Sequence, residues 1–112
     1  MNIFETTSVL NRTIRLTDVQ WNHIRERHPE MEDQQDKLRE TLENPDFVVH
    51  SVRDDTYHYV RKYAETPVSE KHALIVVKHL DRDGFVITAF FVSRIRKEGK
   101  VVVYGKEAYD QL

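Results

Sequence analysis

The sequence predicts an α+β domain in which two N-terminal helices pack on a four- to five-stranded antiparallel sheet. Three observations carry that prediction. Before residue 45, two stretches repeat their apolar residues at helical spacing; after it, every apolar stretch is rich in β-branched and aromatic residues; and the separators between the later stretches are mostly short and turn-like. A chain of 112 residues, 39% hydrophobic and 32% charged, has the size and composition for one core. A single domain over residues 1–112 is therefore expected, with its core within 13–104. No cysteine is present, which excludes disulfides, thiolate zinc sites and cysteine nucleophiles together. No apolar run approaches the roughly 20 residues of a membrane helix, so no membrane association is expected. Met1–Glu5 lacks a basic stretch followed by an apolar segment, and the cytoplasm is the expected location.

The first secure element starts at Thr17. Thr17-Asp18-Val19-Gln20 reads as a capping box, with the Thr17 hydroxyl and the Gln20 amide each satisfying a free backbone N–H of the first turn. Leu16 and Trp21 occupy the two positions of a hydrophobic staple, and Trp21, Ile24 and His28 follow on one face. Pro29 disfavours helical geometry at His28, so the helix is expected to end there. A second helix is predicted from about Glu32 to Glu43, with Met31, Leu38 and Leu42 as its apolar stripe, and Asn44-Pro45-Asp46 ends it.

Four strands follow: Phe47 to Arg53, Thr56 to Tyr63, His72 to Leu80 and Phe85 to Ile95. Asp54-Asp55 and Asp81-Arg82-Asp83-Gly84 read as hairpin loops, so the strands form an antiparallel meander. Val101 to Tyr104 adds a last strand, and Thr13 to Leu16 a short early one. Alternation places Tyr57, Tyr59, Arg61 and Tyr63 on one face of their strand. It likewise groups Val86, Thr88, Phe90 and Val92 against Phe85, Ile87, Ala89 and Phe91. Both faces of the later strands are largely apolar, as in central strands covered on both sides.

Polar residues inside those strands need partners. Thr88 reads either as a core threonine bonded locally or as a hydroxyl facing a cleft. Arg61, flanked by Tyr59 and Tyr63, reads either as a surface cation stacked on aromatics or as a phosphate ligand. His28 is either a buried imidazole tying down the helix end or an acid/base group. His23 lies roughly 140° around the helix from His28, so the two cannot chelate one ion as an i, i+4 pair does. No His-Glu-x-x-His motif occurs, and neither a metal nor a cofactor is expected. The net charge of −2 argues against a protein that coats nucleic acid non-specifically. The run Arg94-Ile95-Arg96-Lys97 allows a local basic patch, whereas Glu30 to Glu43 is acid-rich.

The segment Trp21-Asn22-His23-Ile24-Arg25-Glu26-Arg27-His28-Pro29-Glu30 resembles the opening helix of the phage-associated barnase/EndoU/colicin/RelE-like (BECR-fold) nucleases, with their Trp-x-His-Ile and then Arg-His-Pro-Glu. The later order is similar too: Asn44-Pro45-Asp46, then Tyr59-Val60-Arg61-Lys62-Tyr63, Leu74 to Lys78, and Val86-Ile87-Thr88-Ala89-Phe90-Phe91. The likeness spans about residues 17 to 95. It implies a helix-then-sheet fold with a cleft on one sheet face, and a metal-independent endoribonuclease of toxin or phage-effector type. In such chemistry the RNA 2′-hydroxyl attacks the adjacent phosphate, which requires a base, an acid and donors or cations for the phosphorane. Of the residues able to supply these roles, His28, Arg61 and Thr88 are the expected catalytic set, with His23 next, and Tyr59, Arg27 and Lys78 are the expected substrate contacts. RNA is the implied substrate, and an antitoxin or immunity protein the implied partner. The net negative charge is unlike that of the strongly basic ribosome-dependent toxins, so ribosomal docking is not expected. A non-catalytic binding module on the same fold, with the acidic second helix as its interaction face, is the alternative.

Overall fold

The computed structural model describes residues 1–112. In chain order the elements are β1 (Asn2–Thr7), β2 (Thr13–Thr17), α1 (Asp18–Arg27), a 3-10 turn (Pro29–Met31), α2 (Gln35–Glu43), β3 (Phe47–Ser51), β4 (Thr56–Lys62), β5 (His72–His79), β6 (Asp83–Val92), β7 (Lys100–Tyr104) and α3 (Lys106–Asp110). All seven strands join one sheet in the order β1-β2-β6-β5-β4-β3-β7. The meander β3-β4-β5-β6 is antiparallel as expected, but β2 runs parallel to β6. No helix is long and apolar enough to cross a membrane.

The α+β class is as the sequence predicts; the details differ. The sheet has seven strands and is mixed, a third helix is present, and two strands precede the two larger helices. β1 is an edge strand with a mostly exposed, polar sequence, so it carries no period-2 apolar signal. α3 is five residues long, too short to show periodicity. Gly105 makes it accessible: φ is +75° there, and a Cβ would stand 2.1 Å from the Asp46 carbonyl oxygen.

α1 begins where the sequence places it. The Thr17 hydroxyl accepts from the Gln20 backbone N–H at 3.2 Å, and Leu16 and Trp21 are both buried as a staple requires. The other half of the predicted capping box does not form, because the Gln20 side chain points elsewhere. His28 ends the helix at φ −133° and ψ 74°, ahead of Pro29. Pro29–Met31 then makes its own turn, so α2 starts at Gln35 rather than Glu32.

The helices cover one face of the sheet. Trp21, Ile24, Met31, Leu38 and Leu42 pack there on Ile14, Leu16, Val48, Tyr59, Ile75, Val77, Val86, Ala89 and Phe91. The opposite face carries a smaller cluster around Phe47, Val49, Val60, Leu74 and Tyr109, covered in part by α3 and by Ile95. This second face is the less completely covered one.

The unequal burial of the first-face helix gives a direct test. Replacing Ile24, 1% exposed, by Ala should cost about 2–5 kcal/mol of unfolding free energy. Val19→Ala on the same helix, at a position 61% exposed, should change it by less than about 0.5 kcal/mol. Urea unfolding of the two variants measures both, and equal losses would contradict this packing.

Candidate active site at the bulged edge of the sheet

β2 pairs with β6 only from Thr13 to Arg15, against Asp83 to Phe85. Beyond that point the chain turns into α1, which lies against the remainder of β6. The neighbouring pair β5–β6 shifts register at the same level: Val76 faces Thr88, but Val77 faces Val86. Ile87 is thus an extra residue, a β-bulge. It reverses the alternation, so Val86 faces the helices together with Ala89 and Phe91, while Thr88 and Phe90 turn to the second face. The uninterrupted alternation expected from sequence, with Val86 and Thr88 on one side, is corrected here. The Ile87 carbonyl accepts from the Gln20 side-chain amide at 3.0 Å, which is where the missing half of the capping box went.

The bulge leaves an open cavity of about 340 Å³, lined by Gln20, His23, Arg27, His28, Ile87 and Thr88. His28 and Thr88 meet here, as do His23 and Arg27. The two histidines share the cavity although they are not on one helical face, because His28 has left helical geometry at the C-cap. Its ring stacks on Phe90, with centroids 4.9 Å apart and planes 23° apart. Its Nδ1 stands 3.5 Å from Glu30 Oε1, and the imidazole is 30% exposed. Hence the ring is oriented on two sides and open on a third. Half-buried Thr88 donates no hydrogen bond within the chain, so its hydroxyl is available to a ligand.

Three of the expected site residues lie elsewhere. Arg61 sits beneath α2 on the first face, where its Nη1 donates to the Asn44 carbonyl at 2.7 Å. Its Nε lies 3.6 Å from Glu40, and its guanidinium lies over the Tyr63 ring at 5.5 Å. Of the two sequence readings, it is the cation stacked on an aromatic. Tyr59 is fully buried, its hydroxyl donating to Ser8 Oγ at 2.9 Å and lying 3.0 Å from His79 Nε2. Burial pushes its phenol up to about 12. Lys78 is bound to Asp55 in the β3–β4 hairpin, at 3.1 Å.

Tyr59 belongs to a separate aromatic cluster. His50, Tyr57 and His79 stack in sequence, with centroids 4.5 and 3.8 Å apart, and His50 Nε2 meets Asp55 Oδ1 at 2.8 Å. Burial first, then the Arg12 and His50 charges, bring the His79 imidazole down to about 4. No group of three or more His, Asp or Glu side chains is arranged to hold a metal ion.

Glu30 and Phe90 are site neighbours that residue-by-residue reading passes over. Glu30 stands in the same Arg-His-Pro-Glu run and could be suspected from it. Phe90 reads as core because only the bulge frees its face.

Fold and cavity together define a small α+β domain with imidazole, guanidinium and hydroxyl groups converging at an open sheet edge, a donor set suited to phosphate. Over residues 2–109 the chain matches, and belongs to, the family described as phage-Barnase-EndoU-ColicinE5/D-RelE like nuclease2. The match runs from β1 into α3 and bears out the resemblance carried by Trp21–Glu30. No curated protein and no solved structure matches the chain.

The histidine cluster sets a pH dependence. Because the folded-state value of His79 lies below the ordinary 6.5, the unfolded chain takes up its proton first as pH falls. Its contribution to stability is full above about 6.5 and is lost as pH falls through about 4. Unfolding free energy should therefore decline from pH 7 to pH 5, and less steeply in His79→Gln. Parallel profiles for the two proteins would contradict the burial of this ring.

Proposed function

We propose that this nuclease-family domain is a metal-independent endoribonuclease of toxin or phage-effector type, which cleaves RNA by attack of a 2′-hydroxyl on the adjacent phosphate. The observation that carries the reading is the convergence of His28 and Thr88, with His23 and Arg27, on one open cavity. In this scheme His28 takes the proton from the 2′-hydroxyl, and Glu30, 3.5 Å from Nδ1, holds the ring in orientation. The O2′–P bond forms as the P–O5′ bond breaks, and His23 protonates the departing 5′-oxygen. Thr88 donates a hydrogen bond and Arg27 supplies positive charge to the phosphorane. The products are a 2′,3′-cyclic phosphate and a 5′-hydroxyl. An antitoxin or immunity protein covering the cavity is the partner this role calls for, with the cytoplasm as its place of action.

Purified protein should cleave an RNA pool in the presence of EDTA and leave cyclic phosphate ends. His28→Ala should lose at least about 100-fold in rate, in line with general acid–base contributions. Thr88→Val should lose about 10-fold or more. Arg61→Ala should keep the rate and lose about 1 kcal/mol of stability instead, because its contacts are with Glu40, Asn44 and Tyr63. Absence of cleavage in every RNA pool and in cell extract, together with growth inhibition that survives His28→Ala, would replace this reading by that of a binding module.

A further inference from the structure

Outside the His28 cavity, unneutralised cations gather on the second face. After β6 the chain passes over that face, with Ile95 packed on its apolar cluster, before β7 begins. Arg94, Arg96 and Lys97 are thereby brought to a face that already carries His58 from β4. A hollow of about 430 Å³ is lined by Arg53, His58, Arg96 and Lys100, with Asp54 and Glu98 as its acids. A smaller hollow adjoins it, sharing His58, Arg96 and Lys100 and adding Arg94 and the apolar floor of Leu74 and Phe90. A third adds Lys62 and Lys97.

The three hollows hold six lysines and arginines against two carboxylates, in a chain whose net charge is −2. None of the six is paired with a carboxylate. Of the eleven lysines and arginines outside the hollows, six are: Arg15, Arg25, Arg39, Arg61, Lys78 and Lys106. Such a concentration of free cations is a field for a polyanion. His58 fits the same picture: its Nε2 is 3.2 Å from Thr56 Oγ1, which in turn donates to Asp54 at 2.8 Å. Burial, and after it the Lys100 charge, hold this imidazole below the usual histidine range.

Register ties this pocket to the first. His58 faces Val76 and Val76 faces Thr88, so the three form one row on the second face. Two strand spacings separate His58 from Thr88, roughly 10 Å. Phe90 bridges the gap, since it stacks on His28 and also floors the hollow beside His58.

We propose that His58, Arg96 and Lys100 form a phosphate subsite for single-stranded RNA, the strand lying across Phe90 with its scissile phosphate at His28 and Thr88. The position of the scissile phosphate rests on the ribonuclease reading above; the binding does not. A single strand is the occupant because it can lay a base on Phe90 and the neighbouring apolar floor, whereas a duplex keeps its base faces stacked away.

The test uses a short 2′-O-methylated oligoribonucleotide, which cannot be attacked at its 2′-oxygen, and fluorescence anisotropy across a salt series. Arg96→Ala/Lys100→Ala should weaken binding at least about 10-fold at low salt and flatten the salt slope by about 0.7 per cation removed. Arg82→Ala, a cation outside the hollows, should stay within twofold. Phe90→Leu should weaken the single strand more than inorganic phosphate, and circular dichroism identifies any variant that fails to fold. Loss of binding in the double variant with wild-type protein that cleaves no RNA sustains the subsite and overturns the cleavage reading. Cleavage by wild type with unaltered binding in the double variant overturns the subsite alone. Duplex RNA bound as tightly as the single strand overturns the choice of occupant.

Discussion

β6 changes partners about a third of the way along its length, and the candidate site lies at that exchange. Its first residues pair with β2; from Val86 onward the same edge faces α1, which cannot offer a ladder of backbone hydrogen bonds. Backbone groups left unpaired beneath a helix are costly, by about 1–3 kcal/mol for each buried one. The Gln20 amide answers one of them, the Ile87 carbonyl, at the residue where β6 bulges against β5. The bulge also reverses the side-chain alternation, which delivers Thr88 and Phe90 to the less covered face. Without it, the pairing of Val77 with Val86 would have carried Thr88 toward the helices. The register of β6 against β5 thus determines which side chains line the candidate site.

The same division explains which functional expectations the structure gathers and which it scatters. Strand residues of Tyr59 parity face α1 and α2, where polar groups must be satisfied within the protein. Tyr59 finds Ser8 and His79; Arg61 finds Asn44, Glu40 and Tyr63. Both are committed to holding the fold. Residues of His58 parity face the second side, where burial is incomplete and cations remain free. Aromatic and basic composition alone, as in Tyr59-Val60-Arg61-Lys62-Tyr63, cannot distinguish these two roles. The deciding fact is the face, and the face depends on where the helices dock.

What could be read from sequence follows the range of the interactions involved. α1 was legible from its cap, its staple and Pro29, all encoded between Leu16 and Pro29, and the stripe Met31, Leu38, Leu42 is fully buried as expected. The meander was legible because its hairpin signals are local. β1 was not, being a polar edge strand; nor was the parallel pairing of β2 with β6, which joins residues some 70 positions apart and depends on where α1 lies. The bulge leaves no mark on composition either, because Val86, Ile87 and Ala89 suit both alternations. The helix half of the candidate site was therefore visible as a motif, and the strand half only as a threonine in an apolar setting.

The charge pattern completes the division of the sheet into a stabilising face and an exposed one. On the helix side most cations are answered: Arg61 by Glu40, Arg39 by Glu43, and Glu43 also by Thr6. On the other side Arg53, Lys62, Arg94, Arg96, Lys97 and Lys100 have no carboxylate within ion-pair distance, although the chain as a whole has acid to spare. Neutralising them would have needed only that some of the acids between Glu30 and Glu43 lie across the sheet. They lie on α2 and its approach, and α2 packs against the first face, so the cations of the second face stay unanswered. An oriented field of this kind adds little to stability, since exposed ion pairs contribute at most about 1 kcal/mol each. It does favour approach of a polyanion from the second side, toward Phe90 and the cavity where His28 and Thr88 wait.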